Sequence, residues 1–206
     1  MKRYEIRLAG FGGQGIVTAG RVLGTAISMY EGKNSVNTQS YGPESRGGAC
    51  RSEVVVSDGE IYYPSVRKAD LFVALSQAAL DAYIGDLKPG GVLIVDPDVV
   101  ELPADHKHLV LVAIPTLELA QQAGGAQVQN MVALGALSTL LDWISPVSCE
   151  KAIAECVPAK TLAANLRAFW SGREFLAGQS TERKSVPLPK DKRLLVVANE
   201  PEEPAE

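Results

Sequence analysis

Apolar residues fall into short blocks along this chain, and the spacing inside the blocks changes from one region to the next. Residues 4–9, Tyr4-Glu5-Ile6-Arg7-Leu8-Ala9, read as a strand that runs into Gly10-Phe11-Gly12-Gly13-Gln14-Gly15. Ile16, Ala19, Val22, Leu23, Ala26, Ile27 and Tyr30 then recur at helical spacing, and Gly32 is placed to end that helix in a left-handed conformation. Residues 35–39 are expected to form a second strand. A glycine- and proline-bearing turn spans 41–48, and an extended run follows over 49–57. Asp58-Gly59 is a tight-turn signal, so Ile61-Tyr62-Tyr63 is expected to return as the second strand of a hairpin.

Beyond residue 65 the rhythm becomes strand, helix, strand. Residues 71–75 are wholly apolar, and Ser76 can cap a helix that runs to about Leu87. Pro89-Gly90-Gly91 turns the chain into a strand at 92–95, ended by Asp96-Pro97, and residues 109–114 form another strand before Pro115. Apolar runs without alternation belong to strands covered on both faces. Their alternation with helices implies an α/β fold, a three-layer α/β/α sandwich with a mostly parallel, mixed sheet and a Rossmann-like first βα unit. The last third reads as helices over 128–144, 149–155 and 160–176, the first apolar nearly all round and therefore buried. Two regions are expected: a domain over 1–177 and a polar tail over 178–206 that carries prolines and glutamates.

Composition narrows the function classes. The 206 residues are 46% hydrophobic and 21% charged, with a net charge of −4, so nucleic-acid binding is not favoured. The three cysteines, Cys50, Cys149 and Cys156, are scattered, form no C-x-x-C pair and cannot supply a four-thiolate cluster. They read as reduced thiols of a cytoplasmic protein. Residues 119–141 carry no charge, but Gln121, Gln122, Gly124, Gly125, Gln127, Gln129 and Asn130 fill the first half. The apolar remainder is too short to cross a bilayer, so a buried helix is expected there and no membrane association.

The first fifteen residues carry the candidate chemistry. A strand, a glycine turn and a helix start make an anion site, because the first N–H groups of a helix lack partners and glycines admit a phosphate. Gly10-x-Gly12-x-x-Gly15 fits the dinucleotide fingerprint, yet the acid that would hold a ribose hydroxyl is absent near Gln39-Ser40. The same glycines would also suit plain strand–helix packing. Arg46, in the turn at 41–48, could clamp a phosphate or carboxylate, or pair with Glu44. The two segments could face one ligand, since ligands of open α/β sheets sit at the carboxyl ends of strands. His106 and His108 read as a solvated loop, and Cys50 beside Arg51 as a small buried strand residue. Asn130 could cap the buried helix or reach the ligand. Tyr62, Tyr63, Trp143 and Trp170 could belong to a partner surface or to the core.

The motifs at 10–16, 40–48, 57–59, 69–70 and 130–137, in that order, resemble the gamma subunit of the 2-oxoacid:ferredoxin oxidoreductases. The resemblance covers residues 3–177. It implies a chain that is inactive alone, with no catalytic residue and no metal of its own. Alpha and beta subunits, with delta as a further partner, would hold thiamine diphosphate and the iron–sulfur clusters. Ferredoxin would meet the chain only through the complex. The complex converts a 2-oxoacid, here 2-oxoglutarate or a related acid, and coenzyme A to an acyl-CoA and CO2. The chain's share would be packing and coenzyme A binding, at Gly10, Gly12, Gly13, Gln14, Gly15, Tyr41, Gly42, Arg46 and Gly47. Alternatives are the small subunit of indolepyruvate:ferredoxin oxidoreductase, a nucleotide-binding module, and a nicotinamide-dependent oxidoreductase.

Overall fold

Six strands form one sheet in the order β2-β3-β1-β4-β5-β6. The structure is a computed structural model, and it describes residues 3–40, 49–102 and 109–179. The strands are β1 (Tyr4–Phe11), β2 (Asn34–Ser40), β3 (Ala49–Ser57), β4 (Ala69–Ala74), β5 (Leu87–Val95) and β6 (Val110–Ala113). β1, β4, β5 and β6 are parallel neighbours, in registers such as Leu8 with Val73, Phe72 with Leu93 and Ile94 with Val112. β3 runs antiparallel to both β1 and β2. The fold is therefore the expected α/β architecture with a mixed sheet.

The two faces of the sheet are covered unequally. Ile6, Leu8, Val54, Val56, Leu71, Val73, Ile94 and Val112 point to one face. There they meet α1 (Ile16–Thr25), α3 (Thr116–Ala123), α4 (Gln129–Leu140), α5 (Pro146–Cys156) and α6 (Ala159–Gln179). Ala9, Val55, Phe72, Leu93, Val95 and Leu111 point to the other face, where the short α2 (Gln77–Tyr83) supplies Ala79 and Leu80. Ser76 caps α2 as expected, its hydroxyl accepting from the Ala79 N–H. A 3₁₀ turn, Ile84–Asp86, ends this layer early, so Leu87 already belongs to β5. Pro89-Gly90-Gly91 lies inside the irregular start of β5 rather than before it.

α4 is the centre of the helical face. Its first ten residues, Gln129 to Ser138, are all buried, which explains its apolarity on every side. It crosses α6 backbone to backbone. A Cβ on Gly135 would strike the Phe169 carbonyl, and one on Gly172 the Val132 carbonyl. α1 continues through a π-helical turn, Ala26–Tyr30, and Gly32 at φ 64° ends it as expected.

The hairpin expected at Asp58-Gly59 is not formed. β3 is an interior strand with both edges paired, so no edge is left for residues 61–63. Charged side chains take the place of a ladder and hold the next stretch against the thinly covered face. Arg3 donates to the carbonyls of Tyr63 and Ser65, Glu5 accepts from Arg67 and Lys68, and Glu53 accepts from Val66. Arg7, 2% exposed, completes the set by pairing with Glu53 and Asp86 and donating to the Val66 carbonyl. Ion pairs this buried stabilise only when further hydrogen bonds satisfy them, and here they are multiply bonded.

Candidate functional site

β1 ends in a turn that two features hold open at the start of α1. Gly13 and Gly15 have φ of 97° and 72°, the left-handed region that only glycine enters without strain. The Gln14 side chain folds back over Gly10. Its Oε1 accepts from the Phe11 N–H at 2.6 Å, and its Nε2 donates to the Leu75 carbonyl at 2.9 Å. A Cβ on Gly10 would collide with that carboxamide. Gln14 thus braces the turn. Gly12 differs from its neighbours: its φ is not positive, and a Cβ there would meet nothing within 4 Å. Gly12 and Gly13 face outward.

Behind the turn runs a chain of buried polar groups along the carboxyl ends of the strands. Gln14 Nε2 also donates to Gln129 Oε1 at 3.3 Å, Gln129 Nε2 to Thr116 Oγ1 at 2.9 Å, and Thr116 Oγ1 to Asp96 Oδ2 at 2.9 Å. Asp96 is fully buried and accepts from the N–H groups of Leu117 and Asp98. The N-terminus of α3 is in this way satisfied by an internal carboxylate. The N-terminus of α1 carries no side-chain cap and no acidic residue in its first turn. A negative charge placed before α1 would face a helix start open to it.

α4 starts against the same turn. Its N-cap is Val128, without a side-chain cap, so Asn130 is not the cap. Asn130 Nδ2 donates instead to the Gly15 carbonyl at 2.9 Å, the same oxygen that accepts the first α1 bond from Ala19. The starts of α1 and α4 thereby converge on Gly15.

Of the residues expected to bind a ligand, Gly10, Gly12, Gly13, Gln14 and Gly15 stand together in this turn. Tyr41, Gly42, Arg46 and Gly47 lie outside the described residues, as do His106 and His108. Their flanking residues are fixed: Ala49 pairs with Phe11 at the turn, and Ser40 with Arg51. Beside Ser40 a polar cavity of about 150 Å³ is lined by Thr38, Gln39, Ser40, Arg51, Glu53 and Ser65. A wider groove of about 420 Å³, with Glu31, Asp142 and Arg173, lies at the far end of α4.

The fingerprint geometry differs from the dinucleotide fold in one respect. β2, which would carry the ribose acid beside β1, is displaced one place outward by β3. Asp96, Thr116 and Gln129 were not expected at the site. Their only trace in the sequence is a polar residue inside an apolar element or directly after one. Trp143 packs edge-on against Tyr4 at 5.8 Å, and Trp170 donates to Glu150, so both are tied into the body. Tyr62 is 89% exposed. Among the described residues no helix is long and apolar enough to cross a membrane.

The chain is thus a mixed α/β sheet with an uncapped helix start behind a glycine turn at the carboxyl end of β1. The family model for pyruvate ferredoxin/flavodoxin oxidoreductase matches residues 5–175. The 2-oxoglutarate synthase subunit KorC of Methanothermobacter marburgensis is 48% identical over 180 residues, covering 84% of this chain and 97% of that protein. The keto/oxoacid ferredoxin oxidoreductase gamma subunit of Geobacter sulfurreducens superposes with a TM-score of 0.78 at 42% identity, over 86% of this chain and 98% of that one. The 2-oxoglutarate:ferredoxin oxidoreductase of Magnetococcus marinus, solved with 2-oxoglutarate, coenzyme A and succinyl-CoA, gives 0.77 at 27% identity. That match covers 86% of this chain but 32% of the other. The chain belongs to the 2-oxoacid:ferredoxin oxidoreductase family, as a gamma-type subunit.

Proposed function

We propose that this chain is the gamma subunit of a cytoplasmic 2-oxoglutarate:ferredoxin oxidoreductase and that its glycine turn receives the diphosphate of coenzyme A. The complex would convert 2-oxoglutarate and coenzyme A to succinyl-CoA and CO2, passing two electrons to ferredoxin. The choice of substrate is supported by the 48% identity to a 2-oxoglutarate synthase subunit. Alpha and beta subunits, with delta as a further partner, would carry thiamine diphosphate and the iron–sulfur clusters.

The site reading rests on one observation, the open start of α1 behind an outward-facing Gly12. Coenzyme A suits it: the molecule offers a diphosphate to the helix start and a further phosphate to Arg46. It also does not call for the acid that a nicotinamide dinucleotide seeks on β2. The groups around the turn are backbone amides and the carboxamides of Gln14, Gln129 and Asn130. They would bind and orient by donating and accepting hydrogen bonds, and they neither gain nor lose a proton near neutral pH. Residues 1–177 would form this unit, with 178–206 as an appendage.

The test is native co-purification of the full chain from its own cells. Partner chains with iron–sulfur absorbance, thiamine diphosphate and 2-oxoglutarate-dependent ferredoxin reduction would support the reading. Turnover by the isolated chain would refute it. Binding of NAD as tight as coenzyme A would remove the site assignment while leaving the subunit assignment in place.

A further inference from the structure

Asn130 is the residue at the turn whose bonding is incomplete. It is 4% exposed, and among the described residues its Oδ1 is the one buried side-chain nitrogen or oxygen without a hydrogen-bond partner. The orientation of the carboxamide is set by the 2.9 Å bond from Nδ2 to the Gly15 carbonyl, which an amide oxygen could not make. Oδ1 therefore faces away from that carbonyl as an acceptor. The carboxamide lies over the side of Gly15 where another residue would carry Cβ, with Nδ2 nearest to that position and Oδ1 farther off at 3.4 Å. A buried acceptor left unpaired is costly, and native folds rarely keep one without a use.

We propose that Asn130 is a specificity-determining residue, its Oδ1 accepting a hydrogen bond from a hydroxyl group that adjoins the diphosphate of the bound ligand. The inference rests on the reading of the glycine turn as an anion site and adds a second requirement to it. The start of α1 recognises negative charge on any phosphate. Asn130 distinguishes a diphosphate ester with a neighbouring hydroxyl from bare pyrophosphate. The oxygen that accepts the α1 bond also accepts from Asn130 Nδ2, so the carboxamide is held in register with the helix start.

The experiment is isothermal titration of the assembled complex with inorganic pyrophosphate, coenzyme A, and two coenzyme A analogues. One analogue lacks the ribose 2′-hydroxyl and the other the pantoyl hydroxyl. The unmutated complex is expected to bind one of the analogues about three- to tenfold more weakly than coenzyme A, the loss of one neutral hydrogen bond. Asn130→Ala should weaken coenzyme A by a similar factor, leave pyrophosphate within twofold and abolish the penalty for that analogue. Equal binding of coenzyme A and both analogues by the unmutated complex overturns the proposal without any variant having to fold. So does a parallel loss of pyrophosphate and coenzyme A in Asn130→Ala, which would mean that the residue only shapes the turn. Failure of pyrophosphate to compete with coenzyme A refutes the anion site itself. That outcome is distinct, because it requires no change at Asn130.

Discussion

Gly12 and Gly15 stand three residues apart in one motif, yet alanine at each should do opposite things. At Gly15 the backbone is held at φ 72°, ψ 21°, where an L-residue costs about 1–2 kcal/mol. The new methyl would also overlap the Asn130 carboxamide and displace its bond to the Gly15 carbonyl, a further loss of about 0.5–1.5 kcal/mol. Gly15→Ala should therefore destabilise the fold by about 2–3 kcal/mol. For a chain of this size that lowers the melting temperature by roughly 4–12 °C. At Gly12 a Cβ meets no atom within 4 Å and φ is not positive, so the stability of Gly12→Ala should stay within about 0.5 kcal/mol of the parent. Its methyl would stand in open space at the turn and, on the proposed site, should weaken pyrophosphate and coenzyme A together. Urea unfolding of both variants, followed by titration of the complex containing Gly12→Ala, measures the two effects separately. Comparable destabilisation by both substitutions would refute the assignment of φ-bearing and approach-bearing glycines. Unchanged binding in Gly12→Ala would refute the ligand's path.

Gly135→Ala should separate α4 from α6, because its methyl would strike the Phe169 carbonyl; a loss of about 1–3 kcal/mol in urea unfolding is expected, and a neutral outcome would contradict the backbone contact. Glu5 is buried, which alone would raise its pKa, but the bonds from Arg3, Arg67 and Lys68 prevail and hold it below the ordinary 4.5. The stability it contributes is complete above that value and is lost as pH falls through the lowered one, so Glu5→Gln should be less stable at pH 7 and flatter in its acid limb. Burial pushes the Cys149 thiol up to about 12, Glu31 and Glu150 adding to the effect and Arg173 opposing it, whereas Cys156 is half-buried at the end of α5. Iodoacetamide at pH 8 should mark Cys156 first and Cys149 only on unfolding, as peptide mapping would show.

What could be read along the chain was what neighbouring residues decide. The start of α1 behind the glycine turn, the Ser76 cap, the apolar β4 and β6 and the buried α4 are all local patterns, and all stand in the structure. The expected hairpin failed because its signal was local and its competitor was not. Asp58-Gly59 permits a turn, but β3 already had β1 and β2 on its two edges, from residues 11 to 52 positions away. The polar support of the site was illegible for a related reason. Gln129, Thr116 and Asp96 belong to three different elements, and nothing in their spacing announces that they meet. Asn130 was visible as a choice between capping and ligand contact, and it does not cap.

The two helix starts at the ends of the polar relay are satisfied differently. α3 has the Leu117 N–H of its first turn satisfied from within, by a carboxylate that is fully buried and shares its oxygens among Thr116, Leu117 and Asp98. That charge is committed to the fold. Three hydrogen bonds away, the relay ends on Gln14, a neutral brace for the turn before α1. An acid at that end would repel a phosphate, and a lysine would fill the turn with its own charge. A carboxamide does neither, since it holds the loop by donating and accepting while leaving the helix start as the local positive pole. The same reasoning applies to Asn130. A turn lined by amides can bind and orient a diphosphate, but it offers no group able to exchange a proton near pH 7. On the proposed function this chain would govern which phosphate ester reaches the partner subunits, and they would carry the carbon–carbon cleavage and electron transfer.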